Sequence, residues 1–473
     1  MKVLYITSEA WPFAMSGGLA DVSGALPKAL LRRRTDCRVV LPLYESISEE
    51  LRKDMKFLGS YIVPLSWRRQ YCGIYEAKVG RVTYYLLDNQ YYFKRAELYG
   101  HFDDAERFAF FARAALELLR YIDFAPDVLH CNDWQCALVP VYKTIFYGED
   151  PLYQKIKTLL TIHNIQYQGR YCHGVLGDVF GIPSHNGSLL EYDGGVNILK
   201  GGIETADAVN TVSPTYSQEI LTPEYSHGLH YILRERAYKL SGIVNGIDTE
   251  VYDPKKDKAI AAPYSAEQPQ AKQQNKAALQ KELGLPERAD VPLIGMVSRL
   301  VGHKGFDLVK QCLDEILQSR DLQVAVLGTG DSEYQNFFAE MRQKYPQKLA
   351  FYQGFVPALA HRIYAGADLF LMPSISEPCG LAQMIALRYG TVPIVRQTGG
   401  LKDTVSDAQA PDGDKNGFTF IEPSGFELGR TLNRALDAYA DADAFAALQL
   451  HCMQCDNSWS RSAAEYLALY KSL

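Results

Sequence analysis

Two cations stand five residues apart in the second half of the sequence, directly after a short run of β-forming residues. Arg299 and Lys304 lie within residues 298–305, which also contain two glycines. An arginine can grip phosphate oxygens with two parallel hydrogen bonds, and a lysine adds a mobile point charge. Together they could offset the charge that develops on a departing nucleotide diphosphate. Either residue alone would fit a solvated surface position equally well.

A carboxylate and a glycine pair follow later strands of the same half. Glu377 stands in a proline-restrained turn ahead of an apolar helical pattern. It could be a helix-start charge, but a carboxylate among peptide N–H groups also suits sugar hydroxyls. Thr398, Gly399 and Gly400 stand at the next strand end.

The first half has its own glycine pair behind its first strand. Gly17 and Gly18 immediately precede a helical pattern over residues 19–31. Such a loop can present backbone N–H groups and the positive end of a helix dipole to phosphate. By itself, however, this pattern is more often a tight turn.

Short β-rich runs alternating with helical patterns predict the elements that position these residues. The rhythm stops at a polar stretch, residues 253–290, and then starts again, which predicts two doubly wound parallel α/β domains. Ligands of such sheets bind beyond the carboxyl ends of the strands, where the residues above occur. The predicted strands are residues 3–7, 38–41, 82–87, 127–130, 158–162 and 208–212, then 292–297, 323–327, 349–352, 368–372, 391–395 and 418–421.

Composition limits the function further. A chain of 473 residues exceeds what one core usually serves, so we expect two domains and a cleft between them. The formal charge of −6 argues against a nucleic-acid partner. No run is apolar enough for a signal peptide or a membrane span, and nine scattered cysteines fit a reducing compartment, so we expect a cytoplasmic protein.

Two metal-like patterns are weak. Cys452 and Cys455 beside His451 have no second ligand pair, and most of the cysteines are expected to be buried. Asp412-Gly413-Asp414 resembles a calcium loop, but its acid falls one position short of the twelfth. A plain turn is favoured, and no metal is expected.

Four spaced motifs together resemble the bacterial glycogen synthase and plant starch synthase family. They are residues 17–22, 298–305, 377–381 and 398–401. The similarity covers essentially the whole chain, through further matches at residues 92–93, 98–100, 103–108, 133–134, 161–165, 212–216 and 244–248.

The resemblance implies a GT-B fold, two Rossmann-like domains facing a central cleft, without a cofactor. The implied activity transfers glucose from ADP-glucose to the non-reducing end of an α-1,4-glucan with retention of configuration. It implies an acceptor-side domain, residues 1–242, joined by a closing helix, residues 457–473, and a donor-side domain, residues 243–456.

The resemblance also implies roles for single residues. Arg299 and Lys304 would hold the diphosphate, Glu377 would contact glucose hydroxyls, and His163 would lie near the anomeric carbon. The remaining expected substrate-binding residues are Gly17, Gly18, Asp21, Asp133, Asn245, Cys379, Gly380, Leu381, Thr398, Gly399 and Gly400.

One position departs from the family pattern. Met15 stands where the family usually has a lysine, so one charged donor to phosphate is missing, at a cost of about 1.5–3 kcal/mol. Lys28 or Arg388 could compensate. We expect an active enzyme with altered kinetics; the alternative is a glucan-binding or regulatory paralogue with weakened catalysis.

Other enzyme classes fit less well. A dinucleotide oxidoreductase would need a Gly-x-Gly-x-x-Gly run after the first strand, which is absent from the sequence. A pyridoxal-dependent glucan phosphorylase would show cofactor absorbance. Surface tyrosines could stack on glucan, although packing is favoured for most of them. Sequence leaves open the choice of ADP- or UDP-glucose, acceptor length, oligomeric state and regulation.

Overall fold

A computed structural model of the chain describes residues 1–411 and 414–473. Over these residues the chain forms two compact units, Met1–Asn245 with Trp459–Leu473, and Gly246–Ser458. Asp412 and Gly413 of the calcium-like pattern lie outside the described residues.

The first unit is built on a mostly parallel sheet with helices packed against it. Its strands are β1 (Lys2–Ile6), β2 (Asp36–Pro42), β3 (Lys56–Leu65), β4 (Arg68–Val79), β5 (Val82–Asp88), β6 (Val128–Asn132), β7 (Lys157–Ile162), β8 (Arg170–Tyr171), β9 (Glu191–Tyr192), β10 (Gly195–Asn197), β11 (Ala208–Thr211) and β12 (Leu240–Gly242). Its first helices are α1 (Gly18–Arg32), α2 (Glu49–Lys53), α3 (Gln90–Phe93), α4 (Asp104–Glu117), α5 (Asp133–Cys136), α6 (Leu138–Phe146), α7 (Val175–Asp178), α8 (Ile198–Thr205), α9 (Pro214–Glu219) and α10 (His230–Glu235).

The strand order of this sheet shows where a ligand is expected to bind. The order is β12-β11-β7-β6-β1-β2-β5-β4-β3, and within the described part of this sheet only the β3/β4 and β4/β5 pairs are antiparallel. The chain winds outward from β1 in one direction and from β6 in the other. The loops after β1 and β6 therefore flank the point where strand order reverses, which is where doubly wound sheets bind ligands.

The second unit repeats this plan. Its strands are β13 (Leu293–Val297), β14 (Gln323–Gly328), β15 (Leu349–Gln353), β16 (Leu369–Met372), β17 (Val392–Arg396) and β18 (Phe418–Phe420), in the parallel order β15-β14-β13-β16-β17-β18. Its helices are α11 (Lys272–Leu283), α12 (Phe306–Ser319), α13 (Ser332–Lys344), α14 (Pro357–Gly366), α15 (Ala382–Arg388), α16 (Gly399–Thr404), α17 (Gly425–Tyr439) and α18 (Ala442–Gln454). The reversal of strand order lies between β13 and β16.

All of the predicted parallel strands are confirmed within a few residues, and the two-domain α/β class is confirmed with them. Most of these strands are runs of buried residues, the pattern typical of a parallel sheet covered on both faces, although β15 ends in two exposed residues. The antiparallel hairpin of β3 and β4 and the small sheet of β8, β10 and β9 escaped the sequence analysis. Strands β3 and β4 mix buried residues with more exposed ones, so neither forms the apolar run that indicated the parallel strands.

The last helix, α19 (Trp459–Ser472), belongs to the first unit. Its tyrosine hydroxyls reach buried polar groups of the sheet. Tyr470 OH lies 2.7 Å from His130 Nδ1, and Asn210 donates to Tyr466 OH over 3.3 Å. These contacts give the chain terminus a defined position in the core of this unit.

The aromatic residues of two tyrosine-rich segments, residues 84–85 and 91–93, are mostly part of the core, in agreement with the prediction that most tyrosines serve packing. Tyr84, Tyr85, Tyr92 and Phe93 are buried, whereas Tyr91 is exposed. No helix of the described residues is long and apolar enough to span a bilayer.

Candidate functional site

In the second unit, the loops after β13 and β16 contact each other at the reversal of strand order. The amide of Ile375 donates to His303 O over 2.9 Å. Gly305 has φ +80, and a Cβ there would lie 1.9 Å from Pro373 O. Only glycine fits this close approach, so the glycine after Lys304 sets the distance between the two loops.

The loop after β17 joins the same cluster. Gly399 has φ +45, and a Cβ there would lie 2.0 Å from Glu377 O. The amide of Gly400 donates to Glu377 O over 3.2 Å, and a Cβ on Gly400 would lie 2.2 Å from Cys379 O. Gly399 and Gly400 therefore pack directly against the backbone of the turn that contains Glu377.

Lys304 and Glu377, read as separate binding groups in the sequence, form an ion pair. Lys304 Nζ lies 2.6 Å from Glu377 Oε2, and Ser374 Oγ donates to the same oxygen over 3.0 Å. Glu377 is only 6% exposed, and Arg299 at the end of β13 is exposed. The Lys304 ammonium, the Glu377 carboxylate that it binds and the exposed Arg299 guanidinium therefore all lie in the loops that follow β13 and β16.

The other predicted residues of this unit lie around that turn. Gly380 has φ +74, Cys379 is buried, and Leu381 precedes α15. Thr398 is the residue before α16, whose first residues are Gly399 and Gly400. These positions put helix-start amides beside Glu377, the environment in which an anionic or hydroxylated ligand finds hydrogen-bond donors.

In the first unit, the loop after β1 is organised by Glu9, a residue that the sequence analysis did not select. Its carboxylate accepts the amide of Ser16 over 2.5 Å and that of Gly17 over 3.2 Å. Tyr99 OH donates to it as well, over 3.1 Å. Burial raises the pKa of Glu9 above its usual range. The amides of Ser16 and Gly17 therefore bind an internal carboxylate, as in a tight turn.

The loop after β6 places Asp133 against the end of β7. Asp133 has φ +57, and its Oδ1 accepts the amides of His163 and Asn164 over 2.7 and 3.4 Å. Burial raises the pKa of the Asp133 carboxyl from 3.8 to about 7, and the nearby Glu9 charge adds to the rise. A carboxyl of this kind changes charge near neutral pH.

His163 is neutral in this arrangement. Burial lowers the pKa of its imidazole to about 3. Its Nε2 lies 2.9 Å from Asn132 Oδ1, and the Asn132 amide nitrogen donates to Ile6 O over 3.0 Å. The imidazole therefore donates through Nε2, which leaves Nδ1 as an acceptor.

The replacement Asp133→Asn is expected to become more favourable to stability as pH rises. The folded chain keeps the Asp133 proton up to about pH 7, whereas the unfolded chain loses it near 3.8. The stability that Asp133 contributes is therefore complete below about pH 4 and is lost as pH rises to about 7. Asparagine does not titrate, accepts the same amides and tolerates the left-handed backbone.

Thermal unfolding of Asp133→Asn and of the unchanged protein at about pH 5 and about pH 8 measures this difference. The matched control is Asp193→Asn, because Asp193 also has a left-handed backbone, φ +51, but is exposed. Its difference in unfolding temperature should be independent of pH. A pH-independent difference for Asp133→Asn would contradict the buried, protonated state.

The remaining residues of the first unit that were predicted to bind substrate differ in how far they are exposed. Gly17, Gly18 and Asp21 are exposed at the start of α1. Asn245 is buried, and among the described residues its Oδ1 has no hydrogen-bond partner. A buried acceptor without a donor is costly, so Asn245 is suited to a ligand hydroxyl.

Met15 is 52% exposed on the loop that Glu9 holds. Of the two compensating cations considered, Lys28 lies over the Trp11 ring at 5.1 Å from its centroid. Arg388 belongs to the second unit and pairs with Asp253 at 3.6 Å. Lys28 is therefore the cation adjacent to the loop that lacks its lysine.

The described residues contain no group of three or more His, Cys, Asp or Glu side chains that could hold a metal ion. The thiols of Cys452 and Cys455 donate to Asn416 O and His451 O, over 3.2 and 3.5 Å. Burial raises both thiol pKa values, which opposes the thiolate form that binds metals.

Glu9 could have been found from the sequence by one signal. It is an acid between a buried strand and an apolar segment, Ala10 to Ala14, where an acidic side chain is unusual unless it is bound internally. The Lys304–Glu377 pair had no such signal, because its partners are 73 residues apart.

Family models match both halves of the chain. Residues 2–235 match the starch synthase catalytic domain, and residues 278–447 match glycosyl transferases group 1. The glycogen synthase of Clostridium perfringens is 48% identical over 476 residues, covering 100% of this chain and 98% of its own. That of Geobacillus stearothermophilus is 49% identical, with the same coverage.

Solved structures agree with these matches. The catalytic domain of starch synthase IV from Arabidopsis thaliana, bound to ADP and acarbose, gives a TM-score of 0.92 at 35% identity, covering 99% of this chain and 98% of that one. Sucrose-phosphate synthase from Thermosynechococcus elongatus, at 17% identity and a TM-score of 0.63, covers 100% of this chain and 98% of that one and shares the fold.

The two Rossmann-like units and their strand-end clusters define a glycosyltransferase of the GT-B class. Within that class, the chain belongs to the glycogen synthase and starch synthase family.

Proposed function

We propose that the chain is a glycogen synthase that transfers glucose from ADP-glucose to the non-reducing end of an α-1,4-glucan, with retention of configuration. Full-length identity of 48–49% to bacterial glycogen synthases supports the reaction class. The similar Arabidopsis catalytic domain is bound to ADP, which favours an adenine nucleotide as donor. The observation that carries the proposal is the Lys304–Glu377 pair beside the exposed Arg299.

The second unit, Gly246–Ser458, binds the donor in this proposal. Arg299 and Lys304 bind the diphosphate, and Glu377 accepts hydrogen bonds from glucose hydroxyls. Diphosphate competes with Glu377 for the Lys304 ammonium, while the hydroxyls give the carboxylate new donors. The cations then stabilise charge that increases as the nucleotide departs, so they lower the barrier more than they strengthen ground-state binding.

The first unit, joined by the closing helix, binds the glucan acceptor in this proposal. Asp133, His163 and Asn245 contact sugar hydroxyls, with His163 near the anomeric carbon. A neutral imidazole with a free Nδ1 can accept a hydrogen bond from a sugar hydroxyl without adding charge to the site. Gly17, Gly18 and Asp21 complete the binding surface of the first unit. In the second unit the remaining donor-binding residues are Cys379, Gly380, Leu381, Thr398, Gly399 and Gly400.

Retention without a covalent intermediate is favoured because the carboxylates of both clusters are engaged. Glu9 holds loop amides, Asp133 accepts backbone N–H groups, and Glu377 pairs with Lys304. A double displacement requires a carboxylate free to attack the anomeric carbon. In the proposed front-face route, the leaving diphosphate oxygen takes the proton of the attacking hydroxyl as the new glycosidic bond forms.

Two assays on the purified protein test this function. Release of nucleotide diphosphate and extension of glycogen are measured together, with ADP-glucose and with UDP-glucose. Equal molar release and incorporation from ADP-glucose is the expected result. Glucan binding without transfer from either donor would support the regulatory paralogue instead.

We further propose that the enzyme acts in the cytoplasm, where both substrates are available to it.

The replacement Met15→Lys is expected to improve use of the donor. An ammonium on the Glu9-held loop adds a charge-assisted hydrogen bond to phosphate, worth about 1.5–3 kcal/mol, or roughly 10- to 150-fold in kcat/KM for ADP-glucose. Initial rates over a range of ADP-glucose concentrations measure it.

Met15→Leu is the matched control, since it changes the shape of the side chain without adding charge, and its kinetics should stay close to those of the unchanged protein. If Met15→Lys behaved like Met15→Leu, the loop would need no additional charge, and compensation by Lys28 would be favoured.

A further inference from the structure

Gln383 is a fully buried side chain on α15 whose amide contacts the turn that contains Glu377. The sequence analysis did not select it. Its Nε2 donates to Cys379 O over 3.1 Å and to Gly380 O over 3.0 Å. A third acceptor, Thr404 Oγ1 at the end of α16, lies 3.1 Å away. One side-chain amide therefore joins the turn before α15 to α16.

These acceptors fix which end of the Gln383 amide faces the turn. In the reversed orientation its oxygen would face the carbonyl oxygens of Cys379 and Gly380, and acceptors repel each other. In the observed orientation, Gln383 Oε1 has no hydrogen-bond partner among the described residues. A Cβ on Gly380 would lie 2.5 Å from that oxygen, so only glycine fits beside it. An unpaired buried acceptor is unfavourable, so the bonds to the turn explain why a polar side chain stands here.

Gln383 determines where two backbone amides of the turn point. The 379–380 and 380–381 peptide bonds are trans, and in a trans peptide the N–H points opposite to the C=O. Because Gln383 holds both carbonyls on its own side, the amides of Gly380 and Leu381 point away from it. They make no hydrogen bond within the described residues, and both residues are half-buried. Adjacent unpaired N–H groups in a turn form a concave site for an anionic oxygen.

Gly400 supports the first part of the same turn. Its amide donates to Glu377 O over 3.2 Å and to Pro378 O over 3.1 Å. Its own carbonyl accepts a hydrogen bond from Thr404 Oγ1 over 2.6 Å. Because Thr404 also accepts from Gln383, the two supports of the turn are connected. The position of Glu377 and the direction of the turn amides therefore depend on one hydrogen-bonded group.

We propose that Gln383 is a positioning residue for the sugar-nucleotide donor: it directs the amides of Gly380 and Leu381 toward the diphosphate of ADP-glucose. The proposal rests on the proposed function, which assigns these two residues to donor binding. Gln383 acts through the turn, because its own side chain is fully buried. Its loss therefore weakens binding of the donor and leaves binding of the glucan acceptor unchanged.

The replacement Gln383→Met is expected to raise the Kd of ADP about ten- to a hundredfold. Methionine is similar in size but has no amide, so the carbonyls of the turn lose their donor. Titration calorimetry of the full-length protein with ADP measures binding without transfer, and initial rates give the KM of each substrate. The KM for ADP-glucose should rise with the Kd of ADP, whereas the KM for glycogen should stay within about twofold.

Gln280→Met is the matched control, because it removes another buried glutamine of the same unit. Gln280 is 1% exposed on α11 and donates to Arg288 O over 2.9 Å and to Gln323 Oε1 over 2.7 Å. Its replacement should lower the unfolding temperature, as Gln383→Met does, without changing the Kd of ADP. Thermal unfolding of both variants therefore separates lost stability from lost donor binding.

The replacement Gln383→Glu gives a pH profile that a merely structural role would not produce. Burial raises the pKa of a carboxyl group, so this side chain is protonated at low pH and ionised at high pH. The protonated form can donate one hydrogen bond to the turn, whereas the ionised form repels its carbonyls. The ratio of its ADP Kd to that of the unchanged protein should therefore be small near about pH 5.5 and exceed that of Gln383→Met near about pH 8.5.

Normal ADP affinity of Gln383→Met would overturn the proposal while the unchanged protein transfers glucose. A Gln383→Glu ratio that is independent of pH would overturn it as well, and this comparison decides alone if Gln383→Met does not fold. Failure of the proposed function has a different signature, because then the unchanged protein would neither bind ADP nor transfer glucose, and the role of Gln383 would fall with it.

Discussion

The replacement Arg299→Ala is expected to lower kcat about 10²- to 10³-fold, with a much smaller change in the Kd of ADP-glucose. Arg299 is exposed at the end of β13, where the strand order reverses. If it contacts the diphosphate, its contribution is greatest in the transition state, when the leaving group carries the most charge. Single-turnover rates and equilibrium binding of ADP-glucose measure the two effects separately.

Two variants control this experiment. Arg299→Lys keeps the charge but loses the bidentate hydrogen bonding of the guanidinium. Its activity should therefore lie between that of the unchanged protein and that of Arg299→Ala. Arg320→Ala removes an arginine of the same unit that pairs with Asp437, and it should leave kcat unchanged. An Arg299→Ala enzyme with normal kcat and raised Kd would show that the arginine only binds the donor.

The replacement Lys276→Met is expected to destabilise the second unit by about 3–5 kcal/mol, because it leaves a buried carboxylate without its cation. Lys276 Nζ on α11 lies 2.7 Å from Asp368 Oδ2, with the two side chains 2% and 3% exposed. Asp368 also accepts the amide of Leu293, the first residue of β13, over 2.9 Å. The pair therefore ties α11 to the start of β13 and to the residue that precedes β16.

Urea unfolding followed by circular dichroism measures the loss as a lower midpoint for the transition of this unit. The double variant Lys276→Met, Asp368→Asn should recover part of it, since the unpaired charge is gone. Arg430→Ala breaks the exposed pair with Glu427 and should change stability by less than about 1 kcal/mol. A Lys276→Met midpoint as close to normal as that of Arg430→Ala would contradict the inference.

The cysteine pattern near the end of the second unit consists of side chains that bond within the fold. Cys452 and Cys455 bond to backbone oxygens as small buried side chains do. The polar stretch at residues 253–290 is a related case, because much of its polarity is internal. Lys272 Nζ is buried and donates to Ala365 O, Tyr389 O and Thr391 Oγ1 over 2.8–3.0 Å.

The sequence by itself determined the parallel strands, the two-domain α/β class and the family. Strand periodicity is local, and residues such as Arg299, Glu377 and Gly399 directly follow their strands, so their location at strand ends could be predicted. Their individual catalytic and binding roles remain predictions.

Only the tertiary structure decided which of these groups meet. Lys304 pairs with Glu377 because β13 and β16 are neighbours, although 73 residues separate the two side chains. Glu9 holds Ser16 and Gly17 because the loop after β1 folds back on itself. Such contacts depend on strand order and loop path, which residue spacing along the chain does not encode.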